Sequence, residues 1–106
     1  MPARALLVGD EDRDLRALLV DVLADIDVGI VKDPDRDNPD LVLAIIESAD
    51  FGVALLPALR YGAPVIVVIP YVDEALADNV RGSGFRTVYQ LGRPLAELKA
   101  QVLRSL

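Results

Sequence analysis

The run Pro64-Val65-Ile66-Val67-Val68-Ile69-Pro70 sets the tightest limit on what this chain can fold into. Five β-branched residues between two prolines favour a short strand. A strand with no polar alternation must be covered on both faces, which is the condition of a buried parallel strand. A parallel sheet in turn needs helices on each side, so the run implies an α/β layered architecture. A length of 106 residues accommodates one such unit, read here as a single domain over residues 1–106.

The rest of the chain supplies partners for that strand. Arg4 to Gly9 is a short apolar run ended by a glycine and acids, a first strand. Asp10 or Asp12 can cap the helix that follows, whose face is Leu15, Leu18, Leu19, Val22 and Leu23 at helical spacing. Asp27 to Val31 reads as a second strand. Asp73 to Arg81 is a short helix with Asp73 as cap and Gly82 and Gly84 as its stop. Thr87 to Leu91 is a last strand, and Pro94 opens a final helix with the face Leu95, Leu98, Val102 and Leu106.

Between these segments two readings compete. Leu41 to Ile46 is continuously apolar and partly β-branched, as a strand would be. Alternatively, Asp37-Asn38-Pro39 starts a helix running to about Ala49, and Asp50 to Leu56 is the third strand. A parallel crossover normally takes a dozen or more residues, and the first reading leaves only Lys32 to Asp40 for it. Connection length therefore favours the second reading, with a single turn from Pro57 linking strands three and four. Either way the prediction is a three-layer, flavodoxin-like parallel sheet of five strands in the order 2-1-3-4-5. One helix, the third on the favoured reading, is shortened or missing.

Composition removes whole classes of chemistry. There is no His and no Cys, hence no imidazole acid–base catalysis, no thiol nucleophile, no disulfide and no Cys/His zinc site. Acidic residues outnumber basic ones 17 to 11, and the basic ones are scattered singly, so no nucleic-acid-binding stripe is expected. The longest apolar run, Ala63 to Tyr71, is too short to span a bilayer and holds two prolines. No signal peptide is read at the amino end, and a reducing cytoplasm fits the absence of cysteine.

Three features carry a resemblance: Leu6-Leu7-Val8-Gly9-Asp10-Glu11, Pro64-Val65-Ile66 and Arg93-Pro94. Together with the strand spacing they make the chain similar to the response-regulator receiver (CheY-like) family over nearly its whole length. What the resemblance implies is phosphoryl transfer to an Asp ending strand three. A divalent cation on the strand-one acids assists, with a Thr or Ser ending strand four and a Lys before the last proline. In this chain the acceptor would fall near Val53 to Leu55, or on Ala44 or Ile45 if strand three is Leu41 to Ile46. No carboxylate stands at either place. The hydroxyl position carries Ile69, the Lys position Arg93, and the first acid is Gly9, leaving Asp10 and Glu11 as a vestigial metal site. The resemblance thus points to a pseudo-receiver that no longer takes phosphate. It implies no enzyme and no cofactor, with magnesium on Asp10 and Glu11 as the exception to watch. It also implies signalling through Val72 to Arg81, Tyr89, Gln90 and the outer side of Leu95 to Leu106, Leu98 included. The partner would be a protein or a second copy of the chain. Receivers often carry a cis peptide at the position of Arg93-Pro94, whereas X-Pro bonds in general are mostly trans.

Remaining features have plainer readings. Asp33, Asp35 and Asp37 alternate as in a calcium loop, but the sixth position is Asn38 and the twelfth Ala44, so a solvated acidic loop is expected. Gly82-Ser83-Gly84 follows a helix instead of opening one, unlike a phosphate loop. Tyr71 and Tyr89 can be packing or interface residues. The rival from another class is a small flavodoxin-like ligand-binding domain or enzyme with its site around Gly9, Asp10, Pro57 and Pro70. Nucleoside-deoxyribosyltransferase-like folds, which the stretch from Ile46 to Leu56 resembles, need a Glu in the helix after that strand. Pro57 to Gly62 has none.

Overall fold

The computed structural model describes residues 3–9, 13–46 and 51–106, with residues 51–54 described through their backbone. In chain order the elements are β1 (Arg4–Val8), α1 (Arg13–Ala24), β2 (Gly29–Ile30), β3 (Leu41–Ile45) and α2 (Phe51–Leu59). They continue with β4 (Val65–Ile69), α3 (Glu74–Gly82), β5 (Val88–Gln90) and α4 (Leu95–Ser105). The five strands are all parallel and lie in the order β2-β1-β3-β4-β5. This is the predicted order.

β3 occupies the centre of the sheet, between β1 and β4, and all five of its residues are buried. Burying a Val, Leu or Ile is worth about 1.5–3 kcal/mol relative to exposure, which makes this the most apolar position a strand can take. One face of the sheet packs Leu15, Leu19, Val22 and Leu23 of α1 with Leu98 and Val102 of α4. The other packs Leu55 and Ala58 of α2 with Leu76, Ala77 and Val80 of α3. No helix among the described residues is long and apolar enough to cross a membrane.

The favoured reading of the middle of the chain is overturned here. The third strand is Leu41–Ile45, not Asp50 to Leu56, and no helix starts at Asp37-Asn38-Pro39. Residues 51–59 form α2 instead, with Pro57 inside it, so the helix lacks the backbone hydrogen bond that an N–H at residue 57 would donate. The helix missing from the frame is therefore the one between β2 and β3, not the third. Residues 31–40 make that crossover without one, and both ends are tied to β1. Val31 N–H donates to the Ala5 carbonyl (2.8 Å) and Asp40 N–H to the Arg4 carbonyl (2.9 Å). The Asp40 carboxylate accepts from Arg4 N–H at 2.9 Å, and Arg4 meets Asp37 at 3.4 Å. Two of the three alternating aspartates use their carboxylates within this region: Asp33 accepts from Asp35 N–H and Asp37 pairs with Arg4.

The outer helices follow the sequence closely. Asp73 caps α3 through its carboxylate and Leu76 N–H (3.0 Å), and Ser83 N–H closes the helix on the carbonyls of Asn79 and Val80. In α4 only Leu98 and Val102 of the expected face are buried, while Leu95 and Leu106 are exposed. The reason is length. A helix of 11 residues spans about 16 Å, but the three-residue β5 beneath it only about 10 Å, so the ends overhang.

Candidate functional site

Open parallel sheets place their sites at the carboxyl ends of the strands. Here those ends are Gly9 after β1, Ile45 and Ile46 at β3, Ile69 at β4 and Leu91 after β5. The register pairs Val8 with Ala44 and so brings Gly9 alongside Ile45. Gly9 has φ +107°, and a Cβ placed on it would lie 2.5 Å from the Ile45 carbonyl oxygen. The residue is glycine for two separate reasons, a backbone conformation L-residues rarely adopt and a direct backbone approach.

The sequence-predicted site residues separate in space. Val53 and Leu55 belong to α2, with Leu55 fully buried under the sheet, so neither is at a strand end. That placement followed from the wrong third strand; the acceptor position moves to Ala44 or Ile45, both buried. Ile69 does end β4 and is completely buried. Arg93 Nε donates to the Glu97 carboxylate at 2.6 Å, an exposed pair that holds its guanidinium pKa above the ordinary value. It is thus engaged on its own helix. The Arg93–Pro94 bond is trans, the cheaper isomer, in place of the cis bond the resemblance implied. Asp10 and Glu11 lie outside the described residues. Pro57 sits on α2, which removes it from the rival site. No three acidic side chains converge among the described residues as a cation would require. The described residues at this end are thus a glycine with no room for a side chain, the buried Ile45 and Ile69, and Arg93 paired with Glu97.

What fills this end of the molecule is a set of contacts between the β4–α3 and β5–α4 loops. Gln90 is 2% exposed, and both ends of its amide are used. Its Oε1 accepts from Asp73 N–H at 2.8 Å and its Nε2 donates to the Glu74 carboxylate at 3.3 Å. A Cβ on Gly92 (φ +117°) would come within 2.9 Å of Val72 Cγ2, so the two loops also touch directly. The Tyr89 hydroxyl donates to the Arg93 carbonyl at 2.6 Å, and Arg93 N–H donates to the Gln90 carbonyl at 3.1 Å. Sequence reasoning missed the Gln90 link. Its available signal was an amide in a strand otherwise fit for burial, opposite a helix cap that must be held in place.

Tyr89, Gln90 and Leu98 were expected at an interface, and this too is corrected: all three are in the core. A parallel strand is covered on both faces, so alternation along β5 leaves no side pointing to solvent. Tyr71 and Val72 of the β4–α3 loop, and Leu95, Leu103 and Leu106 of α4, are the exposed apolar residues on these elements.

Two outcomes follow from these contacts. Gln90→Met keeps the shape but strands the Asp73 N–H. We expect a loss of about 1–3 kcal/mol and faster amide exchange confined to residues 72–77, read by hydrogen exchange. Tyr89 has a raised pKa, from burial first and Glu97 second, with Arg93 pulling the other way. An acid whose folded pKa is raised keeps its full contribution below the unfolded value of about 10 and loses it as pH climbs through the folded one. Alkaline unfolding should therefore steepen above about pH 10, and Tyr89→Phe should flatten that limb in a pH-dependent urea titration.

No protein-family model and no curated protein matches the sequence. Solved structures do. A response regulator from Thermotoga maritima matches with TM-score 0.76 at 20% identity, over 98% of this chain and 97% of that one. A response regulator receiver protein from Burkholderia phymatum gives 0.74 at 14% identity, over 97% and 94%. A CheY-like response regulator from Mesorhizobium loti gives 0.72 at 15%, over the full length of both. At these identities the likeness establishes the fold: the chain is built as CheY-like receiver domains are, less the helix between β2 and β3.

Proposed function

We propose that this domain is a pseudo-receiver, a signalling module that works by binding another protein without being phosphorylated and without catalysing a reaction. The observation that carries the reading is at the strand ends. The Ile45 carbonyl stands where a side chain on residue 9 would begin, and Ile45 and Ile69 are both buried, on opposite faces of the sheet. A phosphoryl group carries two negative charges and needs donors or a cation, and burying it against isoleucines would cost several kcal/mol. The binding surface is the face of α3, the β5–α4 loop and the outer side of α4, including Tyr71, Val72, Leu95 and Leu103. Gln90 and Gly92 hold the two loops of that face in one arrangement, which supports recognition of a partner, or of a second copy, independent of phosphate. The reducing cytoplasm is the compartment that fits a chain with no cysteine.

The test is incubation with acetyl phosphate and Mg²⁺ followed by intact-mass measurement. No adduct is expected. An acid-labile adduct of one phosphoryl mass on this chain would refute the proposal.

A further inference from the structure

The sheet has two edges, β2 and β5, and an open edge is a template on which a strand from another molecule can pair. We infer that Gln101 guards the β5 edge: its side chain occupies a carbonyl that an added strand would need, so the domain meets other molecules through side chains and not by extending its sheet. The inference does not rest on the phosphate reading.

The register decides which backbone groups face outward. Val67 N–H donates to the Thr87 carbonyl and Leu91 N–H to the Ile69 carbonyl, so Thr87, Tyr89 and Leu91 turn towards β4. Alternate residues of a parallel strand turn the other way, which leaves Val88 and Gln90 to carry the outer edge. Both outward carbonyls are occupied from within the chain. Gln101 Nε2, reaching across from α4, donates to the Val88 carbonyl at 3.1 Å, and Arg93 N–H donates to the Gln90 carbonyl at 3.1 Å. The N–H groups of Val88 and Gln90 have no hydrogen-bond partner among the described residues. A strand that joins a ladder must find both donors and acceptors along the edge. This edge has donors alone.

The two occupied carbonyls are held by different means. The bond from Arg93 to Gln90 belongs to the turn by which the chain leaves β5. The bond to Val88 comes from a side chain 13 residues further on, so it depends on what stands at position 101. Stability does not explain a glutamine there. Its Oε1 is buried without a partner, a cost that an apolar residue of similar length would not carry. The Nε2 donor on the Val88 carbonyl is what glutamine supplies and such a residue would not.

The opposite edge is closed by length. β2 has only two residues, and the N–H groups of Gly29 and Val31 donate inward to the Ala3 and Ala5 carbonyls of the β1 side. Ile30 between them is left to face outward, and a single residue cannot hold a ladder. Very short edge strands are one way of discouraging pairing and an occupied edge is another, and the two edges of this sheet use one each.

Gln101→Ala and Gln101→Met both remove the donor, and both residues are strong helix formers, so α4 is retained. The full chain and each variant are compared by sedimentation and by residue-resolved amide exchange at about 20 μM and about 1 mM, a range that brackets weak association. In the parent, exchange at Val88 and Gln90 is expected to be the same at both concentrations. Each variant should self-associate beyond the parent at the higher concentration. Exchange at Val88 and Gln90 should then slow by about fivefold or more, because the neighbouring strand accepts from those N–H groups. A folded variant that matches the parent in sedimentation and exchange at both concentrations would overturn the inference, since the helices alone would then close the edge. Self-association that leaves exchange at Val88 and Gln90 unchanged would overturn it too, as would concentration-dependent protection of those amides in the parent.

Discussion

Gly9→Asp, which puts an acid at the position the resemblance assigns to the first acid, is expected to unfold part of the population instead of creating a phosphate site. The backbone at residue 9 sits at φ +107°, and a side chain there meets the Ile45 carbonyl at 2.5 Å. Strain in that region costs about 1–3 kcal/mol and forced overpacking a similar amount, so a total loss of about 2–6 kcal/mol is expected. Urea denaturation measures it, and Gly9→Ala is the control: it shares the strain and clash but adds no charge. Similar losses in the two variants place the cost in the backbone. A Gly9→Asp protein as stable as the parent would show that β1 and β3 part easily at this end.

The second large effect is expected from Ile45→Asp, which puts an acid at one of the two positions, Ala44 and Ile45, where the resemblance places the acceptor. Ile45 is buried at the end of the central strand, against the core formed by α1 and α4. A carboxylate there loses the isoleucine packing and enters an apolar cluster, a combination worth about 3–5 kcal/mol or more. Its thermal midpoint should fall by well over 10 °C, at about 4–8 °C per kcal/mol for a domain of this size. Where folded protein survives, acetyl phosphate is expected to leave it unmodified, since the buried Ile69 brings no hydroxyl and Arg93 already pairs with Glu97. A stable variant that gains a phosphoryl mass would mean that the site lost one residue and kept the rest.

How much of this could be read beforehand depends on where local signals agreed. Val65–Ile69 bounded by prolines, the Leu15–Leu19–Val22–Leu23 face and the Asp73 cap each carry their structure in a few residues, and each is found as expected. The stretch from Asp37 to Leu59 carries signals that compete. Asp37-Asn38-Pro39 has the chemistry of a helix start, yet its acid is drawn to Arg4, a contact with β1 that no local pattern reveals. Leu41–Ile45 and Phe51–Leu59 are both apolar runs, and the weight given to crossover length chose wrongly between them. The β-branched content of the first run and the Leu and Ala of the second were the better guide. At the candidate site, the absence of an acceptor carboxylate held under either alignment and so was legible. That Gly9 is pressed against a carbonyl was not, since it depends on the β1–β3 register.

The crossover between β2 and β3 also bears on how such a chain can change. Its two ends are pinned to neighbouring carbonyls of a single strand, at Ala5 and Arg4, and the stretch between them lies mostly in solvent. Lengthening a loop whose ends are held costs little, about 0.6 kcal/mol for each doubling. The turn at Asp33 to Arg36 is therefore the point where an inserted segment, even a whole helix, would be tolerated without disturbing the sheet.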